Sequence, residues 1–270
     1  MSTNLAKEGL INTPQPDDYL RYSIYQDVLA RKRLVAIVEQ VSAYAAKTQK
    51  GNLKILDLGC GIGGTSFPLS HLGYQVVGID IDARSIDECN KKNTFPTAAF
   101  LVADIAGLDL PERFDVVVCT EVIEHSAYPE RLLETIHRHL EWDGISIITI
   151  PNGYSFYELV FSRLFQKLKI TQLFHRLPNR VYQLLTGSPT PYHSLNIFCG
   201  HVQFFTLRKF KRLLKEGGLH LIDIENQSLG LFLDWKWLSP LRRLECKLAD
   251  HVSHPIAGGW VLVINKSSKK

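Results

Sequence analysis

The chain has 270 residues, 45% hydrophobic and 21% charged, a balance expected of a soluble globular protein with one α/β domain and its elaborations. A net charge of +4 is too weak to argue for a nucleic-acid partner without a clustered basic patch. No apolar run reaches membrane-spanning length, the polar stretch 1–18 lacks the apolar core of a secretory signal, and the five cysteines form no C-x-x-C pair, which together point to a reducing, cytoplasmic setting.

In chain order, residues 1–18 read as a flexible lead, and 19–270 as a single domain. Leu20, Ile24, Val28, Leu29, Leu34, Ile37, Val38 and Val41 predict one or two amphipathic helices over Tyr19–Ala46. Tyr19, Tyr22 and Tyr25 only roughly share a helix face, and either close over a ligand or pack the helix. Strands are predicted at Leu53–Leu58, Gln75–Ile79, Ala98–Ala103, Phe114–Thr120 and Ile145–Ile150. Helices are predicted between them at Thr65–Leu72, Ala83–Lys91 (capped by Asp82) and Pro129–Leu140, with His137 and His139 as surface groups. Residues 154–200 interrupt the pattern as an insertion, and a helix at Leu207–Lys215 and strands at Leu219–Glu225 and Trp260–Ile264 complete the core (50–153 and 201–266). Residues 227–258 form a second elaboration. This alternation predicts a doubly wound, Rossmann-like parallel sheet.

The stretch Ile55-Leu56-Asp57-Leu58-Gly59-Cys60-Gly61-Ile62-Gly63-Gly64 reads as a buried strand running into a tight turn that opens a helix. Glycines there let backbone N–H groups approach a ligand that a Cβ would block. The spacing fits both G-x-G-x-G and, through Gly64, a dinucleotide fingerprint. Asp57 favours the first: an acid so close would repel a pyrophosphate and suits a ligand with a cationic end, such as the ammonium of S-adenosylmethionine. Asp57, Asp80, Asp104 and Glu121 fall at the carboxyl ends of four consecutive strands, where open α/β sheets bind ligands. Asp80 stands where an acid accepts from ribose hydroxyls.

Glu121, Glu124 and His125 follow the fourth strand directly. If the chain turns helical there, the three side chains converge above the sheet. Two carboxylates and an imidazole can ligate Mg²⁺, Mn²⁺ or Zn²⁺; without a metal, His125 is a general base or a structural residue.

Asp57 to Gly63, together with Glu121-Val122-Ile123-Glu124-His125, resemble motifs of class I S-adenosylmethionine-dependent methyltransferases. The resemblance spans roughly residues 50–150 and returns at 201–225. It implies a seven-stranded sheet whose last strand lies antiparallel between the fifth strand and its predecessor in the chain. It also implies that Asp57, Gly59, Gly61, Gly63, Asp80, Ile81, Asp104, Ile105 and Glu121 hold the cofactor, with Asp104 on the adenine amino group and Ile105 and Ile81 packing its ring. The E-x-x-E-H segment is similar to that of the ubiquinone-pathway O-methyltransferases and of small-RNA 2′-O-methyltransferases. In both, such residues hold a divalent ion, and in the latter a further histidine completes the site. His201-Val202-Gln203-Phe204-Phe205-Thr206 resembles the segment carrying that histidine, so the expected metal set is Glu121, Glu124, His125 and His201, with Mg²⁺ or Mn²⁺.

The resulting expectation is in-line methyl transfer to oxygen, with His125 and Glu121 as catalytic groups and a small-molecule or lipid- or glycan-linked hydroxyl as acceptor. Nucleic acid is discounted. The competing readings are a nicotinamide-dependent oxidoreductase and a non-catalytic partner subunit that binds S-adenosylmethionine. The basic, aromatic-rich stretch 154–185 reads as a substrate cover, a membrane-surface contact or an ordinary packed helix, and His175 and His193 within the insertion are weaker site candidates.

Overall fold

A computed structural model describes residues 14–25, 27–155, 201–231 and 238–266. Seven strands form one sheet: β1 (Lys54–Leu58), β2 (Gln75–Asp80), β3 (Ala98–Val102), β4 (Phe114–Thr120), β5 (Leu140–Pro151), β6 (Leu219–Asn226) and β7 (Gly259–Lys266). Their order is β3-β2-β1-β4-β5-β7-β6. All pairs are parallel except those of β7, which lies antiparallel between β5 and β6 as expected.

Alternation along the strands divides the core in two. Leu56, Val117, Ile148 and Leu262 face the layer of α5 (Pro129–His139) and α6 (Leu207–Glu216), whose Leu132, Ile136, Phe210 and Leu214 cover them. Ile55, Val116, Ile147 and Val263 face α2 (Val28–Thr48), packed by Leu34, Ile37, Val38 and Val41. Buried on both sides, the central strands read as near-continuous apolar runs.

The expected cap Asp82 is present, and the structure adds Asp27 and Thr206. Asp27 accepts from Ala30 N at the start of α2, Asp82 from Arg84 N at the start of α4 (Ala83–Lys92), and Thr206 from Lys209 N at the start of α6. Helix α3 (Ser66–His71) ends at Gly73, whose φ of +92° suits glycine.

Four expectations change. Residues 16–18 belong to a short helix, α1 (Pro16–Leu20), rather than to a flexible lead, because Tyr19 is fully buried and anchors it. Strand β5 begins at Leu140, not Ile145: Leu140 pairs with Phe114, and a register shift between Phe114 and Val116 absorbs the turn-like Glu141-Trp142-Asp143-Gly144. Thr65 and Leu72 prove to be the caps of α3. His139 is not a surface group; it is buried, its Nδ1 bonding Thr135 O at 2.8 Å while Nε2 accepts from Leu110 N at 2.9 Å.

The second elaboration contains α7 (Ser239–Ala249), which packs on α2, and a 3₁₀ turn at His254–Ile256. The insertion beyond residue 155, with His175, His193 and Cys199, lies outside the described residues. Cys60, Cys89, Cys119 and Cys246 are buried. Among the described residues, no helix is long and apolar enough to cross a membrane.

Candidate functional site

The glycine turn leaves the carboxyl end of β1 and is braced from β2. Gly59 N and Cys60 N donate to Ile79 O at 2.8 and 3.0 Å, and Gly61 N donates to Asp80 Oδ2 at 2.8 Å. Two glycines are required for different reasons. Gly59 has φ +75°, and a Cβ there would lie 2.4 Å from Val122 Cγ2, so the turn and the segment after β4 are in contact. Gly61 has φ +52° and faces open space, with nothing within 4 Å of where a Cβ would sit. A residue whose backbone is exposed in this way offers close approach to a ligand.

Asp57 is fully buried beneath this turn. Its Oδ2 accepts from Ser66 Oγ at 2.6 Å, while Oδ1 is buried without a hydrogen-bond partner among the described residues. Burial, with Asp80 adding to it and Ser66 opposing, pushes its carboxyl up to about 6. A buried carboxylate oxygen with spare acceptor capacity fits a cationic group brought in by a ligand.

Asp80 ends β2 and accepts from Gly61 N and Asp82 N, leaving lone pairs on both oxygens for a diol. Ile81 beside it is 70% exposed, which leaves its side chain open for a flat ligand to cover. Asp104 caps the 3₁₀ turn Ile105–Gly107 through Ala106 N and is itself exposed; Ile105 is half-buried. The orphaned Asp57 oxygen, the open space at Gly61 and the uncovered Ile81 together fit an adenosyl amino acid.

After β4 the backbone departs from the expected helix. Glu121 sits at φ +53°, a strained position for a residue with a Cβ, and only Ile123–His125 form a 3₁₀ turn. Glu121 therefore does not join the other expected ligands: among the described residues, the ligand atoms that approach one another are those of Glu124, His125 and His201. Glu121 pairs with Arg33 of α2 at 2.8 Å and accepts from Thr149 Oγ1 at 2.9 Å. Burial raises its carboxyl, but Arg33, Thr149 and the nearby His201 outweigh this and hold it below the usual range. Tyr25 stands beside the same pair: burial, with Arg33 opposing, pushes its phenol up to about 12, and Asp57 and Asp27 add to the rise. Its ring covers Gly64, and Ser23 Oγ donates to Gly64 O at 3.0 Å. Of the three tyrosines, Tyr25 alone lies on the glycine turn; Tyr19 is in the core and Tyr22 stacks on His71 at 4.0 Å.

Glu124, His125 and His201 do come together. One ligand atom from each lies within 4.8 Å of the others. The backbone enforces this, since Val202 N and Gln203 N both donate to Glu124 O at 2.9 Å. The His125 and His201 rings meet edge to face at 5.0 Å, and Glu124 Oε1 is 3.8 Å from His125 Nε2. Donors bound to one Mg²⁺ or Mn²⁺ stand roughly 3–4 Å apart, so small side-chain rotations would close the group on an ion. The Glu124 side chain is buried and that of His125 is 20% exposed, so His125 can meet an incoming acceptor.

Arg33 and Thr149 were not anticipated. Arg33 is hidden in the run Arg31-Lys32-Arg33, which reads as a solvated basic face. Thr149 carried a faint signal, as the one hydroxyl in Ile147-Ile148-Thr149-Ile150.

The sequence matches the family described as "Methyltransferase domain" over residues 29–224. It is 30% identical to the ubiquinone biosynthesis O-methyltransferase of Rickettsia prowazekii, over 58% of this chain and 65% of that protein. It is 31% identical to the same-named protein of Rickettsia akari, over 44% of this chain and 48% of the relative. These matches span about half to two thirds of the relatives' own lengths. Among solved structures, an S-adenosylmethionine-dependent methyltransferase from Mesorhizobium loti superposes with a TM-score of 0.55 at 16% identity, over 88% of this chain and 98% of that one. A TehB-like S-adenosylmethionine-dependent methyltransferase from Corynebacterium glutamicum gives 0.51 at 21% identity, over 89% of both chains. At such identities the structural likeness establishes the fold.

Proposed function

Because this chain belongs to the methyltransferase domain family, we propose that it transfers the methyl group of S-adenosylmethionine to a hydroxyl on a small-molecule or lipid- or glycan-linked acceptor. Family membership sets aside the nicotinamide reading. The observation that carries the choice of oxygen is the Glu124–His125–His201 cluster, joined to the glycine turn through the contact of Val122 with Gly59. A hydroxyl must lose its proton as it attacks, and an imidazole titrating near neutral pH is suited to take it. The names of the Rickettsia relatives point the same way.

The cofactor, when bound, supplies an activated methyl group on a sulfonium. The chain's own residues position and deprotonate. Asp57 receives the cationic amino-acid end, Asp80 the ribose hydroxyls, and Asp104, Ile81 and Ile105 the base. Arg33 fixes Glu121 and with it the exit of β4. With no ion present, His125 takes the acceptor proton, with Glu124 Oε1 3.8 Å from its Nε2. The donor set Glu124, His125 and His201 also fits a divalent ion, which would lower the pKa of a coordinated hydroxyl.

The test is calorimetric titration of the purified chain with S-adenosylhomocysteine, with NADH and NADPH as controls, followed by transfer of labelled methyl groups to phenol, catechol and lipid-linked hydroxyl acceptors. Micromolar binding of S-adenosylhomocysteine alone and base-stable ether products are expected. Transfer confined to amine acceptors would overturn the assignment to oxygen, and cofactor binding without turnover on any acceptor would favour the partner-subunit reading.

A further inference from the structure

Helix α7 packs on the domain through one side only. Arg242, Glu245, Cys246 and Ala249 are buried, whereas Leu241, Leu244 and Leu248 are 45%, 54% and 47% exposed. At 3.6 residues per turn the three leucines fall within an arc of about 60°. Exposed Arg243 and Lys247 occupy the adjoining arc, and no acid among the described residues pairs with either. The nearby acids are already engaged: Glu245 with Arg242 at 2.9 Å and with Leu231 N, and Asp250 with Lys32. A helix on the surface of a globular protein normally turns polar residues outward; this one presents leucine bordered by cations.

The position of α7 gives the patch a direction. Asn226, at the carboxyl end of β6, donates to Ala249 O and Val252 O. Lys32, in the first turns of α2, donates to Cys246 O, one residue before the Arg33 that meets Glu121. The helix thus stands at the sheet end that carries the candidate site. Leu231 and Ile256, 43% and 65% exposed, lie on the segments tied to it through Glu245 and Asn226.

We propose that α7 docks this protein on an anionic lipid surface, with Leu241, Leu244 and Leu248 entering the acyl boundary and Arg243 and Lys247 meeting lipid phosphates. A bilayer needs no shape complementarity and matches both the apolar arc and the sign of its border. A second copy on the same face fits worse. A two-fold interface would set like charges together with no described acid left to pair them, and three leucines fall well short of the roughly 800 Å² per partner of a stable interface. The docked orientation turns the candidate site toward an acceptor held in the lipid phase. The docking itself does not depend on the acceptor chosen above.

The test is co-sedimentation of the full chain with vesicles of phosphatidylcholine alone and of phosphatidylcholine with phosphatidylglycerol. Binding is expected on the anionic vesicles, weakened about tenfold by Leu244→Glu and severalfold by the double charge reversal Arg243→Glu/Lys247→Glu or by 0.5 M salt. The milder pair Leu241→Ser/Leu248→Ser serves if Leu244→Glu does not fold. Melting temperature and S-adenosylhomocysteine affinity are expected to be unchanged in all variants. No sedimentation with anionic vesicles, or undiminished sedimentation of the leucine variants, would overturn the proposal. So would a wild-type dimer in light scattering that the leucine variants convert to monomer, which would assign the patch to a second copy.

Discussion

Asp57 shows how one buried side chain can couple ligand binding to protons. With its carboxyl raised to about 6, the free protein holds a proton there under mildly acidic conditions. A cationic ligand group favours the ionised form and lowers that pKa, so binding releases the proton. Affinity for S-adenosylhomocysteine is therefore expected to rise roughly tenfold from pH 5 to pH 7, with proton release seen by calorimetry in buffers of different ionisation enthalpy. Asp57→Asn flattens this dependence while keeping a partner for Ser66; a wild-type profile in that variant would remove Asp57 from the ligand. His125 predicts a different split. His125→Ala is expected to lower kcat by about 10²–10⁴-fold with the Kd for S-adenosylhomocysteine almost unchanged, the mark of a residue that acts on the acceptor. An active variant would make His125 structural. Single positions were legible where chemistry and spacing coincide, as in the glycines and strand-end acids. Arg33 was hidden because a buried guanidinium and a solvated one look alike in sequence.

Among the elements, α2 does more than cover one face of the sheet. Its amino end delivers Arg33 to Glu121, and the segment before it lays Tyr25 over Gly64. A methyl group at Gly64 would stand 2.5 Å from the Tyr25 ring. Gly64→Ala is expected to push Tyr25 off the turn and weaken S-adenosylhomocysteine binding at least severalfold. The accompanying loss of stability should be about 1–3 kcal/mol, as for other overpacked sites. Unchanged affinity would show that this segment lies clear of the cofactor. Most element boundaries could be read from the sequence, because apolar runs end at a capping or turn residue such as Asp82, Gly73 or Gly217. The failures share one cause: tertiary packing overrode local signals. Buried Leu140 draws turn-forming residues into β5, buried Tyr19 makes a helix of a polar lead, and the Arg33 ion pair accompanies a left-handed Glu121 where a helix was expected.

At the scale of the whole molecule, a metal would register as stability. An ion that binds only the folded chain raises the melting temperature, by about 2.7 kcal/mol of stabilisation at a hundredfold excess over Kd. For a domain of this size that amounts to roughly 5–10 °C. Millimolar Mn²⁺ is expected to produce such a shift in the wild type and to lose it in His201→Ala; no shift in the wild type would leave His125 as a base without a metal. The sheet order itself has a consequence in time. Among the described strands β6 bonds only to β7, and β7 also closes the edge of β5. During synthesis β6 leaves the ribosome well before β7, and the edge of β5 waits for β7 through more than a hundred residues of elongation. The nascent chain thus carries two unsatisfied strand edges until Gly259–Lys266 emerges, and this interval is when chaperone capture or edge-to-edge aggregation would compete with folding.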